Sequence, residues 1–155
     1  FDSSMAVSLR PRFEATYVDT SVWCAYGFNQ AESAPAMEWL QTADLTRLGT
    51  AWWAETEFAS ALGIQLRKKA LNAAQARRAQ ERFADLMAAV NRLNLIEADF
   101  IEAAQWAAQP ARGLRGGDAL HLAVAQRHGC KAVATLDATM QANARRLGFR
   151  TISFS

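Results

Sequence analysis

Thr16-Tyr17-Val18-Asp19-Thr20-Ser21-Val22-Trp23 is a short β-rich run that ends on an aspartate and passes directly into a helix. The same arrangement returns at Lys131-Ala132-Val133-Ala134-Thr135-Leu136-Asp137. A third stretch, Arg115-Gly116-Gly117-Asp118-Ala119-Leu120-His121-Leu122-Ala123-Val124-Ala125, sets an aspartate where a glycine loop meets an apolar helix. An aspartate before a helix has two readings. The commoner is an N-cap, its carboxylate accepting free N–H groups of the first turn; the other is a metal or catalytic carboxylate. Neither Asp19 nor Asp137 has a Glu or Gln three residues on, so neither completes a capping box. Threefold repetition in one chain shifts the weight toward a site.

Working outward, the chain alternates. A strand over 15–18 is followed by a helix over 20–28. Ser33 and Pro35 open a second helix, with Pro tolerated in the first turn. Residues 48–51 read as a second strand. The helix after it, 56–69, carries Phe58, Ala61 and Leu62 on one face, with Glu57 at the edge of that stripe. Asn72 with Gln75 reads as a capped restart, so 73–92 completes a helical hairpin. In it Phe83, Leu86, Met87 and Val90 fall at i, i+3, i+4 and i+7, a buried stripe. A strand is expected over 93–96. Asp99 and Glu102 read as a capping box for a helix that stops before Pro110. The next helix, 118–128, is closed by Gly129. Then come a strand over 131–135, a helix over 138–147 closed by Gly148, and a last strand over 149–154. Strands alternating with helices predict an α/β domain whose parallel sheet has helices on both faces. In open parallel sheets ligands bind at the carboxyl ends of the strands, so Asp19 and Asp137 are expected at one edge, with Asp118 able to reach it.

The 155 residues amount to one domain, expected over 15–155 behind a leader over 1–14. The chain opens on Phe with a Met at position 5, so residues 1–4 are expected to be an added remnant. At 51% hydrophobic and 21% charged the composition is that of a soluble globular protein, and no apolar run approaches the ~20 residues of a membrane helix. Cys24 and Cys130 stand apart from any CxxC or Cys/His spacing, which predicts small core residues of a reduced cytoplasmic protein. Net charge is only +2, yet Arg67, Lys68, Lys69, Arg77, Arg78 and Arg82 gather in the hairpin, and Arg112 and Arg115 flank the glycine loop. Such a cluster is either a solvated face or a footprint for a polyanion.

Three aspartates converging with Glu57 would repel until something neutralised them, and a divalent cation is the economical neutraliser. With oxygen donors and no histidine or cysteine at ligand spacing, Mg²⁺ or Mn²⁺ is expected rather than zinc. The usual work of such a site is phosphoryl transfer, the ion activating water and steadying charge on attacking and leaving oxygens.

Val18-Asp19-Thr20-Ser21, Glu57-Phe58-Ala59-Ser60-Ala61-Leu62, Gly117-Asp118-Ala119-Leu120-His121-Leu122-Ala123 and Thr135-Leu136-Asp137 resemble, in order and spacing, the motifs of PIN-domain ribonucleases. The resemblance is to the VapC-like toxins of bacterial toxin–antitoxin pairs in particular, and runs from about residue 16 to 154. Each motif is weak alone; four in register are specific. The resemblance implies a three-layer α/β/α sandwich and an acidic site of Asp19, Glu57, Asp118 and Asp137. It implies Ser21 and Thr135 as hydroxyls that position water or support the carboxylates. It further implies a homodimer and a small VapB-like antitoxin whose C-terminal segment lies in the groove.

Ala51-Trp52-Trp53-Ala54 departs from the family pattern. Two adjacent tryptophans cannot both face the core, so one is expected at a partner or dimer contact, or stacked on an unpaired base. Glu55 competes with Glu57; it lies roughly 200° round the helix, and Glu57 is chosen by its fit to the motif. His121 lies inside an apolar helix and is read as structural, bonding a neighbouring backbone group or carboxylate. The function expected is a metal-dependent endoribonuclease, with Arg112, Arg115, Arg77 and Arg78 on RNA phosphates. The alternative is a non-catalytic module that binds RNA or a partner. A phosphoaspartate enzyme is disfavoured because Asp19-Thr20-Ser21 lacks a second aspartate two residues on, and no GxGxxG or Walker loop follows the first strand.

Overall fold

In the computed structural model, which describes residues 15–29 and 33–154, the strands of the first and second quoted stretches lie side by side. The expected leader lies outside the described residues. Among the described residues, five short parallel strands form one sheet: β1 (Thr16–Val18), β2 (Leu48–Ala51), β3 (Asn91–Leu93), β4 (Ala132–Ala134) and β5 (Arg150–Thr151). Their order is β3-β2-β1-β4-β5. The chain winds outward from β1 to β3, then crosses to β4 on the other side of β1. That reversal makes the carboxyl ends of β1 and β4 the switch point at which open parallel sheets hold ligands.

Among the described residues, seven α-helices cover the sheet: α1 (Thr20–Phe28), α2 (Ala34–Thr42), α3 (Trp53–Arg67), α4 (Ala73–Ala89), α5 (Glu97–Ala107), α6 (Gly116–Arg127) and α7 (Ala138–Arg146). Side chains alternate across a strand, and the core divides accordingly. Tyr17 and Val133 pack with Trp106, Leu122 and Met140 of α5, α6 and α7. Val18 and Ala134 pack with Val22, Leu40, Phe58 and Phe83 of α1 to α4. This is the three-layer α/β/α sandwich expected. No helix among the described residues is long and apolar enough to cross a membrane.

Several boundaries differ from expectation, for local reasons. β3 starts at Asn91 rather than residue 93. Val90 leaves the helix in an extended conformation, and the Asn91 amide donates to Thr46 O and Leu48 O, drawing the chain into register with β2. Helical periodicity does not separate a last buried turn from a first extended residue. α5 begins at Glu97, so Asp99 sits in its first turn instead of capping it. Its carboxylate accepts the Ile96 N–H at 2.9 Å, and Arg127 of α6 grips both its oxygens. α6 begins at Gly116, two residues before Asp118, which is therefore no cap. β5 spans two residues of the six expected. The reciprocal Asn72 and Gln75 bonds at the start of α4 are as the sequence predicted.

Candidate active site

Val18 pairs with Ala134, so the residues that follow, Asp19 and Thr135, emerge side by side from the sheet. The backbone N–H of Asp19 still donates to Ala134 O, which pins the carboxylate at the sheet edge. Asp19 is buried, and its Oδ2 accepts three bonds: from Ser21 Oγ at 2.7 Å, Thr135 Oγ1 at 2.8 Å and Ser21 N at 3.4 Å. The two hydroxyls are themselves held, Ser21 Oγ accepting Leu136 N–H and Thr135 Oγ1 accepting Asp137 N–H. With Oδ2 so engaged, Oδ1 faces His121, 3.6 Å from its Nε2. Asp19 thus caps α1 and lines the site, serving both readings of an aspartate in that position.

Glu57 reaches the same point from α3. Its Oε1 accepts the Thr20 hydroxyl at 2.8 Å and contacts His121 Nε2. Its other oxygen presses on the glycine loop: a Cβ on Gly117 would fall 3.2 Å from Oε2 and 3.3 Å from Trp53 Nε1. A side chain at that position would displace the carboxylate. The Trp53 indole N–H lies beside Glu57 without a well-aligned partner. Burial pushes the Glu57 carboxyl up, but His121, Thr20 and Trp53 outweigh it and hold the group below its ordinary value. Glu55 points elsewhere, 3.2 Å from Arg92 Nη2, whereas Glu57 reaches His121.

His121 bonds a carboxylate, as the sequence reading expected, and that carboxylate is the one of Glu57. The ring is wholly buried, with Nδ1 against the Tyr17 hydroxyl and Nε2 against Glu57. The ligand atoms of Asp19, Glu57 and His121 lie within 4.8 Å of one another, so the expectation that no histidine stands at ligand spacing is corrected. Spacing along a chain shows only neighbours within one element, and these three come from β1, α3 and α6. One signal was present: Asp118 and His121 are three apart on a helix and share a face. Burial lowers the His121 pKa, yet Glu57, Asp19 and Asp118 together leave it raised.

Asp118 and Asp137 form the rim. Burial and the charges of Asp19, Asp137 and Glu57 push the Asp118 carboxyl up to about 6, with His121 opposing them. Asp137 is exposed and caps α7, its Oδ1 accepting Met140 N–H at 2.7 Å. Of the four predicted carboxylates, Asp19 and Glu57 lie in the close group with His121, while Asp118 feels the charges of Asp19, Asp137 and Glu57 from outside it. Oxygen donors in excess, and a carboxyl lifted by burial and by its like-charged neighbours, suit a hard divalent cation such as Mg²⁺ or Mn²⁺.

The predicted phosphate contacts are dispersed. Arg112 is committed to Gln109 Oε1 at 2.7 Å and to the face of Trp106, whereas Arg115 is exposed at the start of α6 beside the site. Arg77 and Arg78 are exposed on α4. Arg78 lines a recess with Gly27 and Asn29 at the end of α1, the opposite end from Asp19 and roughly 13 Å along that helix. The two tryptophans separate as expected: Trp53 packs against the core, while Trp52 is 52% exposed under the Arg92 guanidinium.

The family model described as PIN domain matches residues 16–146. No curated protein sequence matches the chain. Similar solved structures include VapC20 from Mycobacterium tuberculosis, described as a sarcin-ricin loop cleaving toxin. It is 19% identical over 83% of this chain and 95% of that one, with a TM-score of 0.65. FitAcB from Neisseria gonorrhoeae is 16% identical over 90% and 97%, at 0.64. A toxin–antitoxin complex from Klebsiella pneumoniae is 14% identical over 91% and 98%, at 0.60.

Proposed function

The chain belongs to the PIN domain family, and on that premise we propose that it is a Mg²⁺- or Mn²⁺-dependent endoribonuclease, the toxin of a toxin–antitoxin pair. The observation that carries this reading is the approach of Asp19, Glu57, Asp118 and Asp137 at the switch point, where burial first, and then the charges of Asp19, Asp137 and Glu57, lift Asp118 to about 6. A bound cation supplies Lewis acidity to the scissile phosphate and to the attacking water. Asp19, with one oxygen fixed by Ser21 and Thr135, offers the other to that cation, and Glu57 offers a second ligand from α3. Asp118 and Asp137, at the mouth, orient the water for in-line attack on phosphorus, and a carboxylate raised toward neutrality is suited to accept its proton. The products are a 3′-hydroxyl and a 5′-phosphate. Arg115 is placed to hold a flanking phosphate, with Arg77 and Arg78 further along the strand.

A structural neighbour described as a sarcin-ricin loop cleaving toxin and another described as a toxin–antitoxin complex support the toxin reading. They also support a VapB-like antitoxin as partner. A homodimer and a cytoplasmic location accompany this proposal. The test is cleavage of total RNA by the purified protein with Mn²⁺, with EDTA, and with Asp19→Asn, followed by end mapping. Cleavage that requires metal and Asp19 is the expected result. RNA binding without cleavage would make the chain a non-catalytic binding module instead.

A further inference from the structure

Both nitrogens of His121 are used, and each contact leads to a different layer of the molecule. On the inner side Nδ1 meets the Tyr17 hydroxyl, whose oxygen accepts the Ala51 backbone N–H at 3.2 Å. Ala51 ends β2, two residues before α3 begins, and Tyr17 belongs to β1. On the outer side Nε2 meets Glu57 Oε1, with Thr20 Oγ1 at 3.3 Å and Asp19 Oδ1 at 3.6 Å. The ring is fully buried, edge-on to Tyr17 with ring centroids 5.6 Å apart, so it cannot turn without leaving polar atoms unsatisfied in the core.

We propose that Tyr17 and His121 form a positioning pair that fixes the Glu57 carboxylate against Asp19, so that two like charges are presented to one cation. This inference rests on the metal-dependent reading above and adds to it residues that touch neither RNA nor the reacting atoms. The argument holds in either protonation state of the ring. As a neutral imidazole it accepts the Tyr17 proton at Nδ1 and donates from Nε2; as an imidazolium it donates from both, the Tyr17 oxygen accepting. In both cases a hydrogen on Nε2 points at Glu57. The backbone amide of Ala51 sets Tyr17, Tyr17 sets the ring, and the ring sets the carboxylate. Partners standing behind metal-binding carboxylates typically change metal affinity about 10–100-fold when removed.

The test uses the full chain and Mn²⁺ alone. Mn²⁺ affinity is measured by electron paramagnetic resonance for wild type, Tyr17→Phe, His121→Leu and His121→Gln, with thermal unfolding in EDTA recorded for each and RNA cleavage assayed separately. Tyr17→Phe keeps the ring and removes only the hydroxyl; His121→Gln places an amide N–H about where Nε2 stood. The expected result is Mn²⁺ binding weakened about tenfold by Tyr17→Phe and more by His121→Leu, with substantial recovery in His121→Gln. That recovery is expected without matching changes in unfolding temperature. Wild-type affinity in folded Tyr17→Phe and His121→Leu overturns the proposal, as does affinity that simply tracks stability. Direct ¹⁴N coupling from His121 to bound Mn²⁺ also overturns it, because the ring would then be a ligand. A wild type that binds Mn²⁺ but cuts no RNA defeats the nuclease reading and leaves this inference standing.

Discussion

Asp118 makes the charge balance of the site measurable at the level of one residue. Its carboxyl rises to about 6 when folded, against ~3.9 in an unfolded chain, so its ionised form is disfavoured by folding. In metal-free buffer this penalty is absent below about pH 4, grows between pH 4 and 6, and is complete above. Asp118→Asn should therefore stabilise the EDTA-treated protein at pH 7.5 by about 1–2 kcal/mol after solvent screening, and leave it unchanged at pH 4. Thermal unfolding at the two pH values checks this, and a variant less stable than wild type at pH 7.5 contradicts it. The same substitution, like Asp19→Asn, should reduce RNA cleavage below detection while the fold survives, as circular dichroism and product gels would show. At this scale the sequence made the aspartates legible because each follows a strand or opens a helix, positions whose geometry is local. His121 was not legible as a site residue: its contact Glu57 lies 64 positions away. In one dimension it is a lone polar group in an apolar helix.

Among the elements, the α5–α6 pair is joined by the Asp99 and Arg127 side chains. Arg127 Nε donates to Asp99 Oδ1 at 2.7 Å and Nη2 to Oδ2 at 3.0 Å, with Nη2 also donating to Asn94 O at 2.7 Å. Burial pushes the Asp99 carboxyl up, but Arg127 and the Ile96 N–H outweigh it and hold the group below its usual range. Removing the cation strands a buried charge, so Arg127→Ala should cost about 3 kcal/mol near neutrality. A depressed carboxyl contributes stability above its unfolded pKa and loses it as pH falls through the folded one. Wild type and variant should accordingly differ at pH 6 and converge toward pH 2–3 in urea unfolding; equal stability at pH 6 would disprove the clamp. Asp99 was expected to be the cap of α5 because Asp with a Glu three residues on is the usual signature, and Arg127, 28 residues later, gives it another task. The alternation of strands and helices was plain from the sequence. The short strands were harder to bound, because three residues supply too little periodicity to fix an end.

For the molecule as a whole, the basic cluster on α4 and the acidic pocket lie at opposite ends of α1. A bound RNA strand is expected to span both. Arg77→Ala/Arg78→Ala should weaken RNA binding about equally across sequences and lower the salt slope by roughly 1–2. Titrations at several KCl concentrations measure this, and an unchanged slope would return these arginines to a solvated face. The antitoxin is expected to place an arginine among Asp19, Glu57, Asp118 and Asp137, where its fork can take the cation's place. The rest of it would pack near exposed Trp52 and in the cleft between α3 and α4 lined by Phe58, Leu62 and Phe83. Mn²⁺ should then compete with inhibition, and a partner whose arginine is replaced should inhibit poorly; inhibition indifferent to both would mean steric blockade. The pairing of β1 with β4 carries one more consequence. Thr135 holds Asp19 across 116 residues, and β4, which carries it to β1, follows β1, β2 and β3 in the chain. A nascent chain emerging from the ribosome already carries Asp19 and Glu57, but neither Thr135 nor Asp137 nor the strand that sets Asp19 in register. Asp19 therefore gains its Thr135 bond, and its fixed carboxylate, only once β4 has been made and has paired with β1.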